Sequence, residues 1–300
     1  RDGPLTPINE REREISLTNL VNLVFAQEVM KREFFDTDYI ISQREFKSCD
    51  GKPLFSSFWS GYVREYLLPK MKNPTDEVFK LDNKFIFIDI GTGDLKFFDV
   101  ETNNSYDDFN SKGQFGKMDA TKFTTHFQSC IDTLKICKKS FKEMVSENSN
   151  EIRNYIKKEK PQTSTVAIYC AGSESMRNIR DKDPKSFNEV VEEFEINDIY
   201  INVVSAAEEL KYEHAAIKYA LDNASDVDSK VSSLCLAGNL AWGNGSMQGR
   251  HKVYGPVSYS VGLRNLKNKV ADLVTENSLL RLEGKDNLLV SDVAALGNLF

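Results

Sequence analysis

The chain has 300 residues, of which 40% are hydrophobic and 28% charged, and its formal net charge is −6. This composition is typical of a soluble globular protein with one large domain or two ordinary ones. It argues against nucleic acid as a partner, which would need a basic face, and no apolar stretch is long enough to span a membrane.

The first half of the chain contains two predicted helical regions and a hairpin. Apolar residues at helical spacing predict a helix over residues 9–34 and another over residues 54–72, which Pro69 should stop. Residues 84–100 predict two strands joined by a Gly-rich turn. The polar, glycine-containing residues 101–120 predict a loop.

Helices and strands alternate in the rest of the chain. A helix over residues 122–145 should be interrupted at residues 146–150 and then resume as far as Lys160. The later predicted elements are strands over 166–170, 198–204 and 230–240, helices over 184–194, 206–221 and 260–275, and a glycine cluster over 243–249. This alternation favours an α/β fold with a partly parallel sheet.

The polar stretch 146–163 predicts a domain boundary, with one Gly-rich turn before it and another after it. We therefore expect an N-terminal helical extension over residues 1–80, a first lobe over residues 81–160 and a second lobe over residues 161–300. Each lobe would offer one phosphate loop to a shared cleft, since clefts between domains are a favoured place for ligands.

The turn after Asp89 is the strongest chemical signal. Gly91 and Gly93 allow close approach of the backbone to a ligand, and successive N–H groups in a turn form a concave anion site. Asp89 could hold a metal ion or a water beside that anion. For this segment on its own, an ordinary β-hairpin with a Gly-rich turn is the simpler interpretation.

Four segments in chain order resemble motifs of the apyrase family, nucleoside tri- and diphosphate hydrolases of the actin–hexokinase superfamily. Residues 89–96 and 243–248 resemble its two phosphate loops. Residues 169–177 are similar to its small-residue turn followed by a hydrophobe and arginine, and residues 205–221 to its helix opened by paired glutamates. The resemblance implies an α/β fold of two ribonuclease-H-like lobes of the actin–hexokinase type with a cleft between them.

The resemblance also implies metal-dependent hydrolysis of nucleoside di- or triphosphates. Glu209 would be the base that activates water, with its neighbour Glu208 as the alternative base, and Gln248 would hold the attacking water. Asp89 would face a Mg²⁺ or Ca²⁺ cofactor, mostly through water. The residues implied in phosphate binding are Gly91, Thr92, Gly93, Asp94, Lys96, Arg177, Gly243, Gly245 and Ser246.

Three positions depart from the family pattern. The second loop lacks its opening Asp, whose place falls on Ala241, and a Gly after the glutamate pair is replaced by Leu210. Lys96 stands where Arg is usual, so bidentate phosphate contact would be lost. These departures leave three interpretations open: an active hydrolase, a catalytically degenerate nucleotide-binding or protein-interaction domain of the same fold, and an unrelated α/β interaction protein.

The five cysteines form neither a disulfide framework nor a zinc motif, because they are sparse and have no C-x-x-C spacing. They favour reduced thiols and a cytoplasmic location, whereas the family resemblance also admits a secretory or extracellular one. Cys130 and Cys137 are seven residues apart, so we expect them to share the buried face of one helix. A protein partner could bind the N-terminal helices.

Overall fold

The structure is a computed structural model of the chain. It describes residues 46–73, 83–162 and 166–224 in full, and the backbone of residues 163, 233–237, 242–248 and 252–259. The predicted helices over 9–34 and 260–275 lie outside these residues. The chain divides into two compact units, of which one contains Glu45–Leu234 and Asn244–Ser258 and the other Arg1–Arg44, Cys235–Gly243 and Tyr259–Phe300.

A six-stranded mixed sheet is the centre of the larger unit. Its strands are β3 (Lys84–Ile90), β4 (Asp94–Thr102), β5 (Phe109–Asn110), β6 (Gln114–Asp119), β7 (Ala167–Gly172) and β8 (Ile199–Val203). The order is β5-β4-β3-β7-β8, and β6 also pairs with β4. Strands β3, β4 and β6 form an antiparallel meander, whereas β7 and β8 run parallel to β3. This confirms the α/β class, and the topology is the ribonuclease-H-like one expected for a lobe.

One face of the sheet is covered by helices α3 (Ala120–Ile136), α4 (Lys138–Glu159), α5 (Glu174–Lys182) and α6 (Pro184–Glu195). Alternate residues of β3 (Ile86, Ile88 and Ile90) point to this face and are fully buried. Side chains alternate between the two faces of a strand, so Phe85 and Phe87 contribute to the core on the opposite face.

The opposite face is covered by α1 (Phe58–Tyr62), a π-helical segment (Val63–Leu67), α2 (Leu68–Lys72) and α7 (Ala206–Asn223). Trp59 of α1 stacks on Phe98 of β4, with 4.3 Å between ring centroids. Residues 58–72 therefore form part of the core of this unit, although we expected them to belong to a separate N-terminal extension. No helix in the described part of the chain is long and apolar enough to cross a membrane.

Two short pieces complete the described chain. Strands β1 (Phe46–Lys47) and β2 (Pro53–Leu54) pair as an antiparallel hairpin. Strands β9 (Ser233–Ala237), β10 (Trp242–Gln248) and β11 (Lys252–Tyr259) form a three-stranded sheet in the order β11-β10-β9.

Several predicted boundaries were wrong. The helix over 54–72 does not stop at Pro69 but continues to Lys72. The preceding π-helical segment widens the turn, with the N–H of Leu68 donating to the carbonyl of Val63, and a widened turn can accommodate a proline that lacks an N–H. The predicted loop over 101–120 contains strand β6, which is held by pairing with β4.

The interruption between the two long helices is at Cys137 rather than at residues 146–150. Cys130 is buried, but Cys137 adopts an extended conformation as the N-cap of α4 and is exposed, so the two thiols do not share a buried helix face. Residues 146–150 remain helical because Ser149 is buried and its hydroxyl donates to the carbonyl of Val145. Helix α5 was not predicted.

The expected boundary at residue 160 falls inside the main sheet. Strand β7 pairs with β3 along its length, from Phe85 with Ala167 to Ile90 with Gly172. Residues on both sides of the boundary therefore belong to one sheet. A sequence pattern shows that strands and helices alternate, but it does not show which strands become neighbours.

Candidate active site

The carboxyl ends of three parallel strands are level with each other. Ile90 of β3 pairs with Gly172 of β7, which pairs with Val203 of β8. From this edge the chain continues into the turn Gly91–Gly93, into α5 and into α7, respectively. In open α/β sheets, ligands bind outside the carboxyl ends of the strands.

The turn after β3 offers two backbone N–H groups. The N–H of Gly91 donates to the carbonyl of Asp94 at 3.0 Å, and the carbonyl of Gly93 accepts from Ala120 at 3.1 Å. Among the described residues, no group accepts a hydrogen bond from the N–H of Thr92 or Gly93. These two N–H groups are therefore free to bind an anion, as a phosphate loop requires.

The start of α5 is fixed against this turn. Both the N–H and the hydroxyl of Ser173 donate to the carbonyl of Ile90, at 3.2 and 3.1 Å. The hydroxyl of Ser175 donates to the carbonyl of Gly91 at 3.5 Å. These bonds hold the N-terminus of α5, with its positive dipole end, next to the glycine turn.

Asp89 and Lys96 form an ion pair across the hairpin. They are directly opposite in the register of β3 and β4, and Lys96 Nζ is 3.2 Å from Asp89 Oδ2. The negative charge of Asp89 raises the pKa of Lys96, so the ammonium stays charged at neutral pH. The side chain of Asp89 is only 13% exposed. The pair therefore places one fixed cation and one acid beside the turn.

Arg177 of α5 connects two carboxylates. Its Nη1 donates to Glu209 Oε2 and to the carbonyl of Val204, each at 2.8 Å. Its Nη2 and Nε donate to Glu174 Oε2, at 2.8 and 3.3 Å. Because Arg177 is buried and four of its five N–H donors bond to the protein, it positions Glu209 in this arrangement, although the resemblance implied a phosphate contact.

Glu209 is in the first turn of α7, where it combines partial burial with access to solvent. Burial raises its pKa above the ordinary value, although the bond to Arg177 acts in the opposite direction. Arg177 occupies Oε2, and among the described residues no donor bonds to Oε1. With its side chain 27% exposed, Glu209 can accept a proton from a water at Oε1.

Glu213 is a member of the site that the sequence interpretation missed. Burial, together with the charges of Glu209 and Asp89, raises its pKa to about 8, and Lys96 opposes that shift. It follows Glu209 by four residues on α7, which places both carboxyls on one helix face. The spacing of four residues between Glu209 and Glu213 is the signal in the sequence that could have identified it.

Glu208, the expected neighbour of the base, has a structural role. Its Oε2 accepts from the backbone N–H and the hydroxyl of Ser205, both at 2.8 Å, and its own N–H donates to the Ser205 hydroxyl at 3.2 Å. This is a capping box at the N-terminus of α7, and these bonds lower the pKa of Glu208. Glu208 is exposed and turned to the helix end.

The predicted second phosphate loop has a strand backbone instead of a turn. Residues Gly243, Gly245, Ser246 and Gln248 belong to β10, the middle strand of its sheet. Pairing on both sides explains this conformation, because neighbouring strands satisfy the backbone groups that a glycine-rich turn would leave free. The side chains of β10 and the position of Ala241 lie outside the described residues.

The described residues fit a metal ion that arrives with phosphate rather than one held by the protein alone. They contain no group of three or more His, Cys, Asp or Glu side chains that could hold a metal. Mg²⁺ often takes only one or two protein carboxylates, and water and substrate phosphates complete its shell. Asp89, beside the turn, is the carboxylate placed for such an ion.

No protein-family model matches this sequence, and no curated protein matches it. Solved structures similar to the chain include a Ppx/GppA family member from Aquifex aeolicus, with a TM-score of 0.39 and 16% identity, where the match covers 62% of this chain and 53% of that one. An exopolyphosphatase from Cytophaga hutchinsonii has a TM-score of 0.39 and 11% identity, with the same coverage of each chain. The matched part thus spans about half the length of these proteins.

Proposed function

We propose that this chain hydrolyses a phosphoanhydride bond of a nucleoside di- or triphosphate, with Glu209 as general base. The observation that carries the proposal is the position of Glu209 at the carboxyl edge of the sheet. It shares that edge with Asp89 and the turn Gly91–Gly93.

The proposed reaction is in-line attack of water on the terminal phosphorus. Glu209 Oε1 accepts a proton from the water, while Arg177 keeps Oε2 fixed. The N–H groups of Thr92 and Gly93 bind oxygens of the phosphate chain, and Lys96 stabilises their charge. The bond between the terminal phosphorus and its bridging oxygen breaks, and that oxygen leaves with the shortened nucleotide.

A divalent cation, Mg²⁺ or Ca²⁺, would bind phosphate oxygens and, through water, Asp89, and would offset the negative charge that develops on the phosphate. The remaining parts of the resemblance stay predictions: a second lobe, Gln248 as the residue that holds the attacking water, and a protein partner at the N-terminal helices.

The test is phosphate release from nucleoside triphosphates, diphosphates and linear polyphosphate, which carry the same type of bond, with Mg²⁺, with Ca²⁺ and with a chelator. We expect cation-dependent release that falls by roughly 100-fold or more in Glu209→Gln, the range for loss of a general base. The matched control is Glu208→Gln, which removes an identical carboxylate one residue away and should keep turnover within a few fold. Equal turnover in the two variants would exclude Glu209 as the base.

A second candidate function is nucleotide binding without turnover. It is favoured by one observation, the bond between Arg177 and Glu209, which already occupies half of the proposed base. This function predicts that nucleotide raises the melting temperature, because a ligand stabilises the state that it binds, while no phosphate is released. Release at ordinary enzyme rates would exclude it.

A further inference from the structure

A cavity lies at the other end of the main sheet from the candidate active site. It has a volume of about 450 Å³, within the range of small-molecule sites. Its lining includes Cys49, Arg64, Asp108, Phe109 and Tyr219. Tyr219 follows Glu209 by ten residues on α7, so the cavity and the candidate active site are about 15 Å apart along that helix.

Arg64 is held rigidly in the wall of this cavity. Its guanidinium carbon is 3.3 Å from the centroid of the Tyr219 ring and 4.5 Å from that of Phe109. The side chain is 15% exposed. Contact with two rings fixes the plane of the guanidinium, and a fixed plane reduces the entropy lost when its edge binds a ligand.

Most donors of Arg64 remain available. A guanidinium carries five N–H groups, and in the described part of the chain only Nη1 has a hydrogen bond, to Asp108 Oδ1 at 2.8 Å. That oxygen also accepts from the N–H of Phe109 at 2.8 Å. A flat cation with open N–H edges in a concave site matches the geometry of a carboxylate or phosphate group, which accepts two parallel hydrogen bonds.

The remaining lining residues indicate which kind of molecule would fit the cavity. Phe55, Leu54 and Phe109 provide apolar surface, whereas Asn110 and Asn223 provide amide groups. We infer that this cavity binds a small molecule with an oxyanion head group, carboxylate or phosphate, on an aromatic or apolar body. The head group would lie against the edge of Arg64 and the body against the phenylalanine rings.

The reactivity of the Cys49 thiol can report whether a ligand occupies this cavity. It is an exposed free thiol in the lining, and Cys137, also exposed, lies outside the lining and serves as an internal control. The experiment measures alkylation of both thiols in the full chain by peptide mass spectrometry, with benzoate and phenyl phosphate as probes and benzyl alcohol as the uncharged control. We expect the two anions to slow alkylation of Cys49 at least several-fold without changing that of Cys137.

Two variants identify the group that recognises the probe. Arg64→Lys keeps the charge but loses the planar fork, so the concentration needed for protection should rise about 10-fold. Asp108→Asn removes a carboxylate that competes for Arg64 and repels anions, so protection should need less probe. Thermal melting confirms that each variant is folded.

The effect of each probe and each variant on Cys49 alkylation decides whether the proposal holds. Protection that weakens in Arg64→Lys and strengthens in Asp108→Asn supports the proposal. No protection by either anion, equal protection by benzyl alcohol, or weaker protection in Asp108→Asn would overturn it, since the last result would mean that the Asp108 carboxylate supports anion binding instead of opposing it. Protection by phenyl phosphate alone identifies phosphate as the head group, and protection by both probes indicates any oxyanion.

Discussion

The partly buried carboxyl of Glu213 should make the stability of this protein depend on pH. Its pKa is about 8 in the folded chain, against an ordinary value of 4.5. Between these two values the folded state retains a proton that the unfolded state has released. Stability from this group is therefore fully present below about pH 4.5 and is lost as the pH rises towards 8.

The magnitude follows from the size of the shift. Each pH unit between the two pKa values changes the free energy of unfolding by up to about 1.4 kcal/mol. From about pH 5 to about pH 8 the loss is thus up to about 4 kcal/mol, a large part of the stability of a typical domain. Replacing Glu213 with Gln removes the titration and keeps the shape of the side chain.

We expect Glu213→Gln to match the parent near pH 5 and to exceed it progressively up to pH 8. The assay is urea unfolding at several pH values, followed by tryptophan fluorescence, since Trp59 is buried against Phe98 in the same unit. The control is Glu147→Gln, which removes an exposed carboxylate from α4. A constant difference between the Glu213→Gln variant and the parent at all pH values would refute the reasoning.

Three further predictions concern helix packing, thiol reactivity and capping. Gly61→Ala should destabilise the fold by about 3 kcal/mol, because the added Cβ would lie 1.7 Å from the backbone oxygen of Tyr212; an unchanged urea midpoint would contradict this. Cys137 should react with iodoacetamide much faster than Cys130, because hydrogen bonds at a helix start lower the pKa of its exposed thiol, whereas burial raises that of Cys130 to about 11; peptide mass spectrometry would show equal rates if this is wrong. Ser205→Ala should cost about 1 kcal/mol by breaking its capping box, and a stability equal to the parent would count against that assignment.

The candidate site could be predicted in part because some of its features are local. A short turn between two apolar runs sets the register of the hairpin. In this register, Asp89 lies directly opposite Lys96. The helix that carries Glu209 is set by its N-cap Ser205 and its apolar stripe. These signals depend on residues that are close together in the sequence.

Other features depend on contacts between distant residues, and the sequence pattern did not reveal them. Arg177 and Glu209 are brought together by the parallel pairing of β7 with β8, so the arginine holds the proposed base. Glu213 becomes an unusual acid because the tertiary fold partly buries its carboxyl near the charges of Glu209 and Asp89.

The sequence alone thus determined the α/β class, the hairpin with its glycine turn and the helix that presents Glu209, because hydrophobic periodicity, turn residues and caps act over a few residues. Only the tertiary structure decided that residues on both sides of position 160 share one sheet and that the glycine-rich residues 243–248 form a strand. Strand neighbours and the burial of charge depend on the free energy of the whole fold, which no local pattern encodes.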